Sequence, residues 1–367
     1  MMFNFIILIL LTYCFLILSF TFGWYKNKSS KDTQRKKHVS IIIAARNEED
    51  NIDEIINNFN SQNYPKDKIE LIIIDDHSTD MTSKKANNFK QNNIKVLLLP
   101  DNLYGKKQAI DFGLQYAVGD IILTTDADCS FERNWVNTMS SYFADKNVKL
   151  VAGPVTYSSN ESFFQKFQSL EFYSLISCGA GAIGIQKPIF CNAANMAYSK
   201  DVIKIFNQVS DSKIASGDDV FLLHYLKKTN ANAIKFALDE KAIVTTSSKE
   251  NISDFLNQRK RWTAKSASYD DLFTLFVSIL VLLVNFSFIY VLFDSLFTYS
   301  YNFLFLFFAM KFICDYLILK PALVFFKKEN LTKWILVFEF FYSLYVIFIV
   351  VMSFTTKFKW KDRIYKK

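Results

Sequence analysis

Four stretches of this chain are too apolar to sit in water as surface helices. Residues 3 to 24, "FNFIILILLTYCFLILSFTFGW", carry no charge. A helix of about 20 such residues crosses the hydrocarbon core of a bilayer. The runs at 272–293, 301–319 and 334–354 are of the same length class. Only Met1 and Met2 precede the first run, and no small-residue cleavage site follows it. It is therefore expected to be an uncleaved anchor rather than a signal peptide. The chain divides into an anchor (1–25), a polar head (38–265), a membrane region of about three spans (270–356) and a basic tail (357–367).

The net charge of +8 could suggest a nucleic-acid partner. The basic residues, however, collect beside the apolar runs: "KNKSSKDTQRKKH" (26–38), "QRKRWTAK" (258–265) and "KFKWKDRIYKK" (357–367). Such flanks mark the cytoplasmic side of a span and meet anionic headgroups. The expected partners include membrane lipids and exclude nucleic acid, and the head is expected to be cytoplasmic, at the cell (inner) membrane. Four spans counted from an outside N-terminus put the basic tail outside, against the same rule. Either one C-terminal stretch is re-entrant or interfacial, or the tail is an exception. The 5 Cys show no paired spacing, so neither a disulfide framework nor a zinc site is indicated.

From Val39 the head alternates short apolar runs with helical patterns. "VSIIIAA", "IELIIID", "IKVLLLP" and "DIILTTD" read as strands, with helices between them. Continuous apolar strands alternating with helices predict an α/β fold with a mostly parallel sheet covered on both faces. Ligands in such sheets bind beyond the carboxyl ends of the strands. Those ends read "RNEED", "DDHSTD", "DNLYGKK" and "DADCS", so four acid-bearing loops meet on one edge.

Each loop has a structural and a functional reading. Asp126 and Asp128 are two apart on an extended segment and face the same way. A divalent cation, Mg²⁺ or Mn²⁺, would relieve their repulsion; the alternative is a turn with one acid capping the helix near Asn134. Asp75 and Asp76 close a second strand. Asp80 or Ser78 suffices as the next N-cap, which leaves a carboxylate for a base or ribose, while His77 reads as a turn residue. Arg46 and Glu48 lie where a strand end meets a helix start, a natural place for anion or ribose contacts, or simply a helix start with acids favoured by the dipole. Gly105 and Lys106 open another helix, where the lysine is either solvated or set against a diphosphate. In "ASGDDVFLLHYL" (215–226) Ser216 and Asp219 are spaced as a capping box. Capping needs one acid, and Asp218 with Asp219 makes two; His224 reads as packing. Gln258, Arg261 and Trp262 in "NQRKRWTAK" lie on a juxtamembrane helix that could equally be a lipid anchor.

The ordered set of strand-end acids, D-x-D, a later acidic pair and Q-x-x-R-W before apolar spans resembles the family 2 inverting glycosyltransferases of GT-A fold, in their membrane-anchored synthase-like branch. The likeness covers about residues 38–265. It implies that Asp76 hydrogen-bonds the nucleobase, that Arg46 and Glu48 hold base and ribose, and that Lys106 meets the diphosphate. Asp126 and Asp128 become the metal-binding pair, with Asp126 also facing the donor, and Asp219 the catalytic base. Gln258, Arg261 and Trp262 line the acceptor and hold the diphosphate. "CNAANMAYSKD" (191–201) resembles the segment N-G-A-N near donor sugar and acceptor, with Ala193 replacing the glycine; Asn192 and Asn195 carry that expectation, with turn chemistry as their alternative. Asp218 replaces the family's usual glutamate beside the base.

The implied reaction is direct displacement: a hydroxyl attacks the anomeric carbon opposite the departing nucleoside diphosphate and a carboxylate takes its proton. The donor is a nucleotide sugar, a UDP-sugar first, and the acceptor a lipid-linked molecule or a glycan of the cell envelope. A processive polysaccharide synthase is the alternative within the class. Outside it stand a nucleotide-binding membrane scaffold, which loss of the base or a metal acid would mark, and a transporter, to which the intramembrane Lys311, Asp315 and Glu339 would be relevant. Lys311 and Asp315 are four apart and can pair across one helical face.

Overall fold

The computed structural model describes residues 2–30, 36–89, 91–158, 162–203, 218–266, 269–355, 358–360 and 363–365. The chain forms two compact units that interleave in sequence. One comprises Asn27–Ser158 and Gln186–Ser247, the other Met1–Lys26, Ser159–Ile185 and Ser248–Lys367. The head expected over 38–265 is thus discontinuous, because residues 159–185 and 248–265 cluster with the apolar helices.

The α/β unit begins as its hydrophobic pattern predicts. Strands β1 (Val39–Ala45), β2 (Ile69–Asp75), β3 (Ile94–Leu98) and β4 (Ile121–Thr124) alternate with helices α2 (Ile52–Asn60), α3 (Thr82–Asn88) and α4 (Gly105–Tyr116). Ile41, Ile42 and Ile43 in β1 and Ile72, Ile73 and Ile74 in β2 are fully buried, as expected for a sheet covered on both faces. The remaining strands are β5 (Ser130–Phe131), β6 (Leu150–Ala152), β7 (Val155–Tyr157), β8 (Met196–Ser199), β9 (Ile234–Phe236) and β10 (Val244–Thr246), with helices α5 (Trp135–Ser141) and α7 (Asp218–Asn230). A 7-stranded sheet runs β3-β2-β1-β4-β8-β6-β9, and a 3-stranded sheet β5-β10-β7. In the large sheet β8 alone is antiparallel to its neighbours. Parallel register sets Ala45 opposite Asp75 and Asp75 opposite Leu98, which brings the carboxyl ends of the first strands to one edge.

The opposite edge is closed by a buried carboxylate. Glu70 accepts hydrogen bonds from the Ser40 hydroxyl, the Lys95 ammonium at 2.8 Å and the Val118 amide at 2.7 Å. Burial pushes the Glu70 carboxyl up, but these donors outweigh it and hold it below the usual carboxylate range.

The second unit contains α1 (Met2–Lys26), α6 (Phe163–Gly184), α8 (Ile252–Ser266), α9 (Leu272–Thr298), α10 (Asn302–Phe325) and α11 (Thr332–Thr355). Four of its helices are long and apolar enough to cross a membrane: Met2–Lys26, Leu272–Thr298, Asn302–Phe325 and Glu329–Ser353. Helix α6, which opens with a Ser162–Gln165 capping box, is not among the elements expected from the hydrophobic pattern. Its glycines let α1 approach closely. A Cβ on Gly23 would stand 2.0 Å from the Gly181 carbonyl oxygen, and one on Gly184 would stand 1.9 Å from that of Gly23. Small residues at such crossings are how apolar helices bring their backbones together.

The charges within the apolar helices pair with one another. Lys311, with its side chain 1% exposed, donates to Asp315 at 2.8 Å and to Glu339 of α11. The Tyr13 hydroxyl of α1 donates to the other oxygen of Asp315. Ser343 of α11 donates to Asn285 of α9 at 2.8 Å. These groups clasp helices together, in line with the helix-binding reading of Lys311, Asp315 and Glu339 over transport.

Candidate active site

The loops after β1 and β2 are laced side by side. Arg46 donates from Nη1 to the carbonyls of Asp76 (2.8 Å) and His77 (3.3 Å). The Glu48 amide donates to the Thr82 hydroxyl at 2.8 Å, and the Glu48 carboxylate accepts from the Asn51 side chain at 2.7 Å. Asp80 accepts from the Thr82 amide and hydroxyl and from the Glu49 amide. Burial raises the Asp80 carboxyl, yet those donors prevail and hold it below its ordinary value. Asp80 thus serves the start of α3 from one residue before the cap position, which is held by Met81 and not by Asp80 or Ser78. Asn47 and His77 both take left-handed conformations, at φ 52° and 56°, which confirms His77 as a turn residue.

Asp76 lies deeper, 2% exposed, and its Oδ2 accepts the Gly105 amide at 3.1 Å. Gly105 adopts φ 90°, a conformation open to glycine at no steric cost, and this tight entry into α4 carries Lys106 to the site. Beside it the His77 ring packs on Tyr104, with centroids 4.9 Å apart, while Tyr104 remains 53% exposed. An aromatic face next to Asp76 is a feature the sequence did not announce.

Lys106 donates to Oδ1 of Asp126; their side chains are 31% and 38% exposed. Burial pulls the Lys106 ammonium down, but the carboxylates of Asp126 and Asp219 together lift it above its usual value. Lys106 and the expected base therefore lie in one electrostatic neighbourhood. Asp126, Asp128 and Cys129 each offer a ligand atom, all within 4.8 Å of one another. Burial, then Asp126 and Asp128, push the Cys129 thiol well above its usual value. The two carboxylates are a hard oxygen set that fits Mg²⁺ or Mn²⁺.

The turn before β8 joins this strand end to Asp219. Thr124 at the end of β4 donates to the Ala193 carbonyl at 3.1 Å, and the Ala193 amide donates to Asp219 Oδ2 at 3.2 Å. Asp219 Oδ1 accepts its neighbour Val220's amide at 2.9 Å. Asn192, partly exposed, uses Oδ1 to accept the Ala194 amide. Asn195 behaves differently from the expectation of a sugar contact. It is fully buried, donates to the carbonyls of Pro154 and Ala242 at 2.7 Å each, and accepts the Trp135 indole N–H at 3.0 Å. Its amide braces the core, because three internal partners already use both ends of it. Of the acidic pair, Asp219 is described in full, whereas the Asp218 side chain and Ser216, with its expected capping role, lie outside the described residues. His224 is buried in α7.

Gln258, Arg261 and Trp262 belong to the other unit, on α8. Their i, i+3, i+4 spacing sets them on one helical face. Two residues within the motif that sequence reading passed over, Arg259 and Lys260, are buried; the Arg259 side chain is 3% exposed and pairs with Glu171 of α6.

Residues 40–206 match the family model described as glycosyl transferase family 2. Glycosyltransferase AglE of Haloferax volcanii is 28% identical over 207 residues, 55% of this chain and 64% of that protein. A poly-beta-1,6-N-acetyl-D-glucosamine synthase of Staphylococcus aureus is 29% identical over 141 residues, 38% of this chain and 34% of the relative. The chain thus spans less than two thirds of the length of either. Among solved structures, mannosyltransferase PcManGT from Pyrobaculum calidifontis, in complex with GDP-Man and Mn²⁺, superposes with a TM-score of 0.56 at 15% identity, covering 95% of this chain and 98% of that one. The fold is GT-A, as the resemblance implies, with the mostly parallel sheet that the alternation of strands and helices predicts.

Proposed function

We propose that this chain is a membrane-bound inverting glycosyltransferase, moving a sugar from a nucleotide-sugar donor to a hydroxyl of a lipid-linked or glycan acceptor in cell-envelope glycan synthesis. The observation that carries the reading is the gathering of Asp126, Asp128, Lys106 and Asp219 beyond the carboxyl end of β4, tied together through Thr124 and Ala193. The family match over residues 40–206 supports it. The basic flanks of the apolar helices favour a cytoplasmic head at the cell membrane.

In this mechanism Arg46, Glu48 and Asp76 hold base and ribose, and Asp126 and Asp128 hold Mg²⁺ or Mn²⁺. Such an ion, when bound, supplies positive charge against the diphosphate leaving group. Lys106, kept protonated by its carboxylate neighbours, adds a second positive charge there. Asp219 takes the proton of the acceptor hydroxyl as the new bond forms; its amide partners fix the carboxylate in place. Asn192 lies on the turn beside it, with Asp218, to meet sugar or acceptor. Gln258 and Trp262 line the acceptor and Arg261 holds the diphosphate. No covalent enzyme intermediate arises, so the anomeric configuration inverts.

The test is incorporation of label by membranes containing the full chain, from a panel of UDP- and GDP-sugars with Mn²⁺ or Mg²⁺. Label entering a solvent-extractable product from one donor, with inverted anomeric configuration by NMR, is the expected result. Retention of configuration, or no donor binding with metal present, contradicts the proposal.

A further inference from the structure

Arg259 sits inside the Gln258–Trp262 segment of α8, three residues before Trp262 and so one turn from it. Its guanidinium is held by Glu171 of α6, with Nε donating at 2.8 Å to Oε1 and at 3.0 Å to Oε2, and Nη2 donating to Oε2 as well. Both side chains are almost fully buried, at 3% and 6% exposure. Glu171 receives one more donor, the hydroxyl of Tyr345 in α11, at 3.1 Å.

Other contacts of Arg259 run back toward the motif. Nη1 donates to the side-chain oxygen of Gln258. The guanidinium carbon lies 4.3 Å from the centroid of the Trp262 ring and 4.6 Å from that of Phe255, both within cation–π range. Phe255 stacks in turn on Tyr345, at 5.9 Å and 27°. One buried cation therefore fixes two of the three motif side chains, and a membrane-helix tyrosine fixes the acid that fixes the cation.

A buried Arg–Glu pair contributes little net stability over a well-packed apolar pair. Its worth here lies in direction. The planar fork can grip Glu171, donate to Gln258 and stack on Trp262 at once, which a lysine in the same place cannot do. We propose that Arg259, backed by Glu171 and Tyr345, is a positioning residue that sets Gln258 and Trp262 for the acceptor and links that setting to helix α11. This inference rests on the transferase reading of the preceding section.

The test uses the full chain in membranes and compares wild type with Glu171→Gln/Arg259→Gln and with Tyr345→Phe. The double variant replaces the ion pair by a neutral amide pair, which lifts the burden of an unpaired buried charge, but it removes the guanidinium that stacks on Trp262. The expected result is normal helical circular dichroism, binding of UDP or GDP with Mn²⁺ within about twofold of wild type, and kcat lowered about 10-fold or more. The Trp262 emission, taken as wild type minus Trp262→Phe, should shift to the red in the double variant. Tyr345→Phe removes one hydroxyl, and should lower kcat about threefold at unchanged nucleotide affinity. It keeps the test decisive if the double variant misfolds. Either variant, folded and binding nucleotide, with wild-type kcat and acceptor KM overturns the positioning role. A wild type that binds no nucleotide fails differently, by removing the transferase reading and this inference with it.

Discussion

Lys106, in the first turn of α4, donates to the carboxylate of Asp126 just beyond the end of β4. The contact joins the loops after two parallel strands and leaves both side chains about a third exposed. A cation already rests, in the free protein, on one of the two acids expected to hold a metal.

That contact has opposite consequences for metal and for rate. Removing a positive charge beside a cation site tightens the site, so Lys106→Met should bind Mn²⁺ several-fold more tightly, measured by calorimetry. The same variant should lower kcat about 10²- to 10³-fold, as loss of a charge that stabilises a leaving group does. Because its neighbours raise the Lys106 ammonium, no loss of activity from its deprotonation is expected within the ordinary lysine range.

Asp126 and Asp128 should carry the metal dependence. Chelation should abolish transfer and added Mn²⁺ or Mg²⁺ should restore it. Asp128→Asn should need roughly 10- to 100-fold more metal for half-maximal rate. Titration of rate against free metal reads this directly.

At the other edge of the sheet Glu70 makes a pH-dependent contribution to stability. Its folded carboxyl titrates below its unfolded value. The contribution is therefore fully present above the unfolded value, and is lost as pH falls through the folded one. The stability of the wild type against denaturant should fall below about pH 4.5, and Glu70→Gln should flatten that dependence and cost about 1–3 kcal/mol at pH 7.

The buried cluster among the apolar helices should behave as a structural clasp. Lys311→Met leaves Asp315 and Glu339 without their cation, at a cost of about 3–5 kcal/mol. The triple change Lys311→Met/Asp315→Leu/Glu339→Leu should recover most of that loss. Thermal unfolding in detergent distinguishes the two.

The first four strands and their acid-bearing ends were legible because a doubly covered parallel sheet writes itself as unbroken apolar runs. The apolar helices were legible for the same reason of solvent. Helix α6 was not, since Lys166 and Glu171 interrupt its hydrophobic run and its partners are distant in sequence. Arg259 was hidden by its motif: spacing identifies the face shared by Gln258, Arg261 and Trp262 and says nothing of which neighbour is buried by α6. Asn195 shows the converse error. Its position beside Asn192 suggested a ligand, but only the fold reveals that Pro154, Ala242 and Trp135 converge on it.

The central claim is that Asp219 takes a proton while Asp126 and Asp128 hold the metal, and one comparison tests it most directly. Single-turnover sugar transfer is measured for wild type and Asp219→Asn alongside binding of the donor nucleotide with Mn²⁺. The account predicts a fall of about 10²- to 10⁴-fold in transfer with nucleotide affinity within about twofold of wild type. Transfer by Asp219→Asn at the wild-type rate would contradict it.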